Sequence, residues 1–197
     1  MRWTRVAPIA LVVMSSAALV GSCSQPANQS AAPAAMTPEQ KIARGLYLVT
    51  ITGCNDCHTP GAMFGAPDTT RRLSGSEMGW QGPWGITFAR NLTPDTETGI
   101  GSWTEAQIVT AFQTGHRPDG SPLMPPMPWT DFAAMTPEDA GAVAAYLKSI
   151  PPVKHTNVKA VPPGVPYKGA VAAFPAPPAW DAPPAGAAGG APPPAGK

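Results

Sequence analysis

Five consecutive residues constrain this chain more than any other feature: Cys54-Asn55-Asp56-Cys57-His58. Two thiols stand three positions apart, and an imidazole follows the second directly. At the end of a helix, that spacing lets both thiols reach one edge of a flat ligand while the imidazole falls beneath its centre. The pattern is C-x-x-C-H, the attachment signature of c-type haem, in which the thiols add to two vinyl groups and the histidine becomes the proximal iron ligand. Other uses of a C-x-x-C pair fit less well. A thioredoxin-like redox pair needs a βαβ setting, which the sequence does not show. A zinc site needs two further ligands, and His116 and His155 lack paired spacing. An iron–sulfur cluster normally takes four cysteines, whereas the chain has three: Cys23, Cys54 and Cys57.

With two thiols committed to one cofactor, Cys23 has no disulfide partner, and an odd cysteine in an exported chain needs an explanation. Residues 1–22 read as a signal peptide. Arg2 and Arg5 form its basic start, and Val6 to Val20 is an uncharged apolar run, shorter than the ~20 residues that span a bilayer. The run ends in Leu19-Val20-Gly21-Ser22-Cys23. Small residues directly ahead of a cysteine resemble a bacterial lipobox, so lipidation of Cys23 is expected, with residues 23–36 as a lipid-anchored flexible linker. The expected location is therefore the periplasmic side of the membrane.

Of the 197 residues, 37–152 carry helical periodicity and distributed aromatics, and they form the expected domain. Residues 153–197 read as a Pro/Ala/Gly-rich disordered tail, with too little apolar surface to offset the entropy of ordering. The net charge of +1 becomes −1 once Arg2 and Arg5 are removed, 11 basic against 12 acidic residues. Nucleic acid is not an expected partner, since that would call for a basic face.

Three helices are predicted in the domain. Thr37-Pro38-Glu39-Gln40 opens the first with a capping box and a proline at the first helical position, and Ile42, Leu46 and Val49 give its apolar spacing. The second starts near Trp103 with Ser102 or Thr104 as cap, buries Ile108, Ala111 and Phe112, and stops at Gly115. Thr136-Pro137 opens the third, whose stripe is Val143, Tyr146, Leu147 and Ile150, and Pro151-Pro152 ends it. No segment alternates with period two, so the fold class expected is all-α. The Gly/Pro-rich connection from Thr59 to Gly101 is long for a compact domain. It becomes reasonable if it wraps a haem that serves as its core.

A second iron ligand is sought among eight methionines and three histidines. Met127, between Pro126 and Pro128, is the first candidate, because flanking prolines stiffen the loop that would present its thioether. Met124 is the runner-up, His116 would give bis-histidine ligation, and Met63 and Met78 read as packing residues. Arg90 and Arg117 are candidates for pairing with haem propionates.

The segment resembles the monohaem class I cytochrome c module, particularly the modules in cytochrome subunits of membrane-bound alcohol dehydrogenases. The carrying residues are Gly45-Leu46-Tyr47-Leu48, Cys54 to His58, Gly85 with Asn91-Leu92-Thr93-Pro94-Asp95, Gly99-Ile100-Gly101 before Trp103, Arg117-Pro118-Asp119-Gly120, Pro126-Met127-Pro128 and Ala145-Tyr146-Leu147. The resemblance implies a class I cytochrome c fold, three or more helices wrapped around one covalent haem c, with Met127 as distal ligand. It also implies that the first and third helices cross near Gly45 and Tyr146, and that the Asn91 loop covers one haem edge. Those dehydrogenase subunits usually string three modules together, while this chain has a single C-x-x-C-H.

Histidine–methionine ligation raises the iron potential relative to two nitrogen ligands and leaves no vacant position for substrate. The function expected is electron transfer between a periplasmic dehydrogenase or respiratory complex and its partner, an oxidase or another cytochrome. The alternative is a haem enzyme or sensor with a displaceable methionine.

Overall fold

The computed structural model describes residues 35–174. The export segment, Cys23, the linker up to residue 34 and the tail from residue 175, Trp180 included, lie outside the described residues. In chain order the elements are α1 (Pro38–Ile51), α2 (Cys54–His58), β1 (Gly79–Gly82), β2 (Gly85–Phe88), α3 (Glu105–Thr114), α4 (Trp129–Phe132), α5 (Pro137–Ser149) and β3 (Val171–Ala173), with two 3-10 turns between α2 and β1.

The helix entries follow the capping chemistry. At α1, the Thr37 hydroxyl accepts from the Gln40 amide while the Gln40 side chain accepts from the Thr37 amide, so two otherwise orphaned donors are satisfied. Thr104, not Ser102, caps α3 in the same reciprocal way with Gln107, and Gly115 ends it at φ 75. Thr136 caps α5.

The face of α1 that packs differs from the expected stripe. Gly45, Leu48 and Val49 are buried, whereas Ile42 and Leu46 remain 37% and 40% exposed. The cause is Gly45, where α5 comes so close that a Cβ would overlap the Ala142 carbonyl oxygen and lie 2.6 Å from Tyr146 Cβ. The closest approach turns the helix toward its glycine, and the branched side chains rotate outward. Leu48, Val49, Ile108, Phe112, Val143, Tyr146 and Leu147 form the centre of the core between α1, α3 and α5.

Two expectations need correction. The domain is not all-α: beside five helices, β1 pairs antiparallel with β2 and parallel with β3, giving the order β2-β1-β3. Periodicity could not reveal these strands. All four residues of β2 are buried, so it shows no polar face, and β1 begins and ends on glycine. The long connection is thus partly a hairpin.

The second correction concerns the tail. Residues 153–174 pack onto the domain as a strap. Ile86 and Val161 exchange both backbone hydrogen bonds, at 2.8 and 2.9 Å. The His155 ring lies 2.6 Å from the Ser74 carbonyl, and Phe174 sits 6.1 Å from the rings of both Trp80 and Trp84. Composition failed here because polar and backbone hydrogen bonds hold the strap more than apolar burial does. No helix among the described residues is long and apolar enough to cross a membrane.

Candidate functional site

The chain enters the site through a sharp change of direction after α1. Gly53 adopts the left-handed φ of 68, which glycine takes without steric cost, and α2 follows at once with Cys54, Cys57 and His58 on its single turn. All three line a cavity of ≈ 700 Å³, a size suited to a cofactor-sized ligand. Leu92 and Ile100 from the long connection, Ile108, Ala111 and Phe112 from α3, and Val143 and Leu147 from α5 contribute apolar walls. The loop Leu123 to Pro128 closes the circuit, bringing Met124 and Met127 to the same cavity.

His58 is held in one tautomer. Its Nδ1 lies 2.7 Å from the Arg90 carbonyl oxygen, which can only accept, so Nδ1 carries the proton and Nε2 keeps its lone pair. Burial pushes the imidazole below its ordinary pKa, against the opposing pull of the Arg90 carbonyl. A neutral ring with a free Nε2 is the form that binds iron.

The two thiols are free of any disulfide. Burial pushes both up from the ordinary thiol pKa, and Asp56 adds to the rise. A reactive redox pair depends on a lowered thiol pKa, so this environment disfavours the thioredoxin-like reading. Among the described residues, no three His, Cys, Asp or Glu side chains are grouped to hold a metal ion.

Met127 is half-buried and packs against the main core, while Met124 is 36% exposed. A hydrogen bond the sequence did not signal steadies their loop: the buried Thr87 hydroxyl of β2 donates to the Pro125 carbonyl at 2.6 Å. His116 is exposed, with Nδ1 2.9 Å from the Thr114 carbonyl, and it does not line the cavity. Neither Met63 nor Met78 lines it; Met78 is buried elsewhere and Met63 is exposed.

Arg90 and Arg117 both line the cavity. Arg117 Nη1 donates to the Ser121 hydroxyl at 3.1 Å and the Pro122 carbonyl at 2.6 Å. Burial, then the like charge of Arg90, push its pKa down. Among the described residues, neither guanidinium takes part in an ion pair. Glu97 and Asp119 line the cavity as well, and Asp119 acts on Arg117 without pairing with it, so both guanidiniums keep donors for a ligand with an acidic edge.

Asn157, Val158, Lys159 and Ala160 of the strap also line the cavity. Sequence reasoning missed them, since they lie in a stretch whose composition suggested disorder. The fit to haem is good in size, in apolar walls, and in the donor set of two thiols, a neutral imidazole and a thioether.

A family model described as cytochrome c matches residues 42–151. Among similar proteins is the cytochrome c subunit of an alcohol dehydrogenase (quinone) from Gluconobacter oxydans, 34% identical over 128 residues, covering 64% of this chain and 25% of that protein. A diheme cytochrome c-type protein of Cereibacter sphaeroides is 31% identical over 156 residues, 77% of this chain and 50% of its own length. The fructose dehydrogenase cytochrome subunit of Gluconobacter japonicus is 30% identical over 147 residues, covering 75% and 28%. The chain thus spans between a quarter and a half of these relatives.

Proposed function

The chain belongs to the cytochrome c family, and we propose that it is an electron-transfer protein carrying one covalent haem c outside the cytoplasm. Cys54 and Cys57 would tether the haem, His58 Nε2 would be its proximal ligand and Met127 its distal one, and Arg90 and Arg117 would meet its carboxylates. The observation that carries this reading is the convergence of the C-x-x-C-H turn and Met127 on one apolar cavity. When bound, haem iron supplies a one-electron Fe(III)/Fe(II) couple.

The protein's residues do the rest. The His58–Arg90 hydrogen bond fixes the ring and its protonation, and Thr87 steadies the methionine loop through Pro125. The apolar walls from α3 and α5 would shield the bound ring from water. With His58 and Met127 both holding the iron, no position would be open for substrate, so the role would be carriage of electrons rather than catalysis. Relatives that are cytochrome subunits of alcohol and fructose dehydrogenases support a dehydrogenase as electron source, with an oxidase or another cytochrome as acceptor. Export by residues 1–22 and acylation of Cys23 complete the proposal, placing the domain on the periplasmic side of the membrane.

Intact mass and redox titration test it together. Protein from a haem-attaching host should carry one haem per chain that survives denaturation, and should titrate reversibly with a single electron. A second haem, or turnover of peroxide at an open iron, would contradict the proposal.

A further inference from the structure

The Arg90–Asn91 amide is hydrogen-bonded at both ends, and both bonds bear on His58. Its carbonyl oxygen accepts from His58 Nδ1 at 2.7 Å. Its N–H donates to Asn157 Oδ1 at 2.6 Å. The orientation of the Asn157 carboxamide is settled by its other end, where Nδ2 donates to the Thr98 carbonyl at 2.6 Å. Asn157 oxygen, amide 90–91 and imidazole therefore form one chain of hydrogen bonds in which each donor is also polarised by the next acceptor.

Such chains are cooperative. An acceptor on the amide N–H draws that proton, leaves the carbonyl oxygen more negative, and strengthens its hold on the Nδ1 proton. A more strongly held Nδ1 proton gives the ring more imidazolate character, making Nε2 the better donor to a metal. Asn157 lines the cavity yet lies beyond residues 42–151 matched by the family model. It belongs to the strap.

We propose that Asn157 is a positioning residue for the iron site, setting the donor strength of His58 through the Arg90–Asn91 amide and thereby holding the reduction potential down. This rests on His58 being the proximal ligand. The strap then counterbalances methionine ligation, which alone draws the potential up.

The sign of the effect separates this role from simple cover. Loss of the Asn157 acceptor weakens His58 as a donor and favours Fe(II), so the potential rises. Loss of cover admits water, which favours the more highly charged ferric form, so the potential falls. The test uses the full-length haem-loaded protein with Asn157→Ala and Asn157→Asp, read by potentiometry and by proton NMR of the ferrous state. Both variants forfeit the bond to Thr98, but only the aspartate keeps an acceptor for the Asn91 N–H.

Asn157→Ala should shift the Fe(III)/Fe(II) equilibrium toward Fe(II) by up to about tenfold, which is about +59 mV for one electron. Its His58 Nδ1–H resonance should move upfield. Asn157→Asp should shift both readouts the other way. A potential that falls or stays put in Asn157→Ala, or an unmoved Nδ1–H resonance in both variants, would overturn the proposal. If the parent protein itself lacks a histidine-ligated haem, the assignment of His58 fails first, and its own spectrum shows that independently.

Discussion

A variant lacking both thiols and the imidazole, Cys54→Ala/Cys57→Ala/His58→Ala, is expected to be unfolded as well as colourless. The cavity these residues line measures ≈ 700 Å³ and lies between α3, α5 and the long connection. Without the haem, its apolar walls face water instead of the ring, and burial is worth about 25 cal/mol per Å² of apolar surface. The whole stability of a domain is about 5–15 kcal/mol, so losing the packing of a haem-sized group removes much of it. Ile108, Phe112 and Leu147 each face the core on one side and the cavity on the other, so the loss propagates. Far-UV circular dichroism should show little helix, and heating should show no cooperative transition. A colourless variant that still melts cooperatively would mean that the core closes without the cofactor.

The second large effect is expected at Gly45, without touching the site. In Gly45→Ala the new methyl overlaps the Ala142 carbonyl oxygen and lies 2.6 Å from Tyr146 Cβ. A backbone carbonyl inside a helix cannot rotate away, so α1 and α5 must separate, opening the packing of Leu48, Val49, Val143 and Tyr146. Overpacking of this kind costs about 1–3 kcal/mol and occasionally more, and the upper end applies because backbone is the obstacle. The fold lies between the size classes that lose about 4–8 °C and about 2–4 °C per kcal/mol, so at about 3–5 °C per kcal/mol Tm should fall by roughly 9–15 °C. Gly141→Ala is the matched control. It lies on α5, its nearest outside neighbour is Lys41 Cε at 3.5 Å, and alanine is favoured over glycine in a helix by about 1 kcal/mol. That variant should be neutral or slightly stabilised. Equal losses in the two would show that helix geometry, not the crossing, sets the cost.

The helices were legible because their signals are local. Thr37, Thr104 and Thr136 announce helix starts through groups three residues away, and Gly115 announces a stop; all four act in the fold as expected. The helix crossing at Gly45 and Tyr146, implied by resemblance, is present too. What stayed hidden depends on distant partners. β2 is buried along its whole length, so its sequence carries no alternation, and β3 exists only because β1 lies beside it. The strap is pinned through Asn91, whose side chain donates to the Val153 carbonyl at 2.7 Å and the Thr98 hydroxyl at 3.0 Å. Nothing within residues 153–174 reveals that anchor.

The candidate site divides along the same line. Cys54, Cys57 and His58 are consecutive enough to be read directly. Met127 was reachable through its flanking prolines, and it reaches the cavity together with Met124. The hydrogen bonds around them, Thr87 to Pro125, His58 to the Arg90 carbonyl and Asn91 to Asn157, join positions 32 to 66 apart, and one sequence offers no mark for such pairs.

The pair His58 and Met127 is the centre of the account, and the absorption spectrum of the ferric protein tests it most directly. Loaded with haem, the parent should be low-spin and should show the weak far-red band of a sulfur–iron bond. That band should disappear in Met127→Ala and persist in Met124→Ala. A high-spin parent, or a band that survives in Met127→Ala, would contradict the assignment.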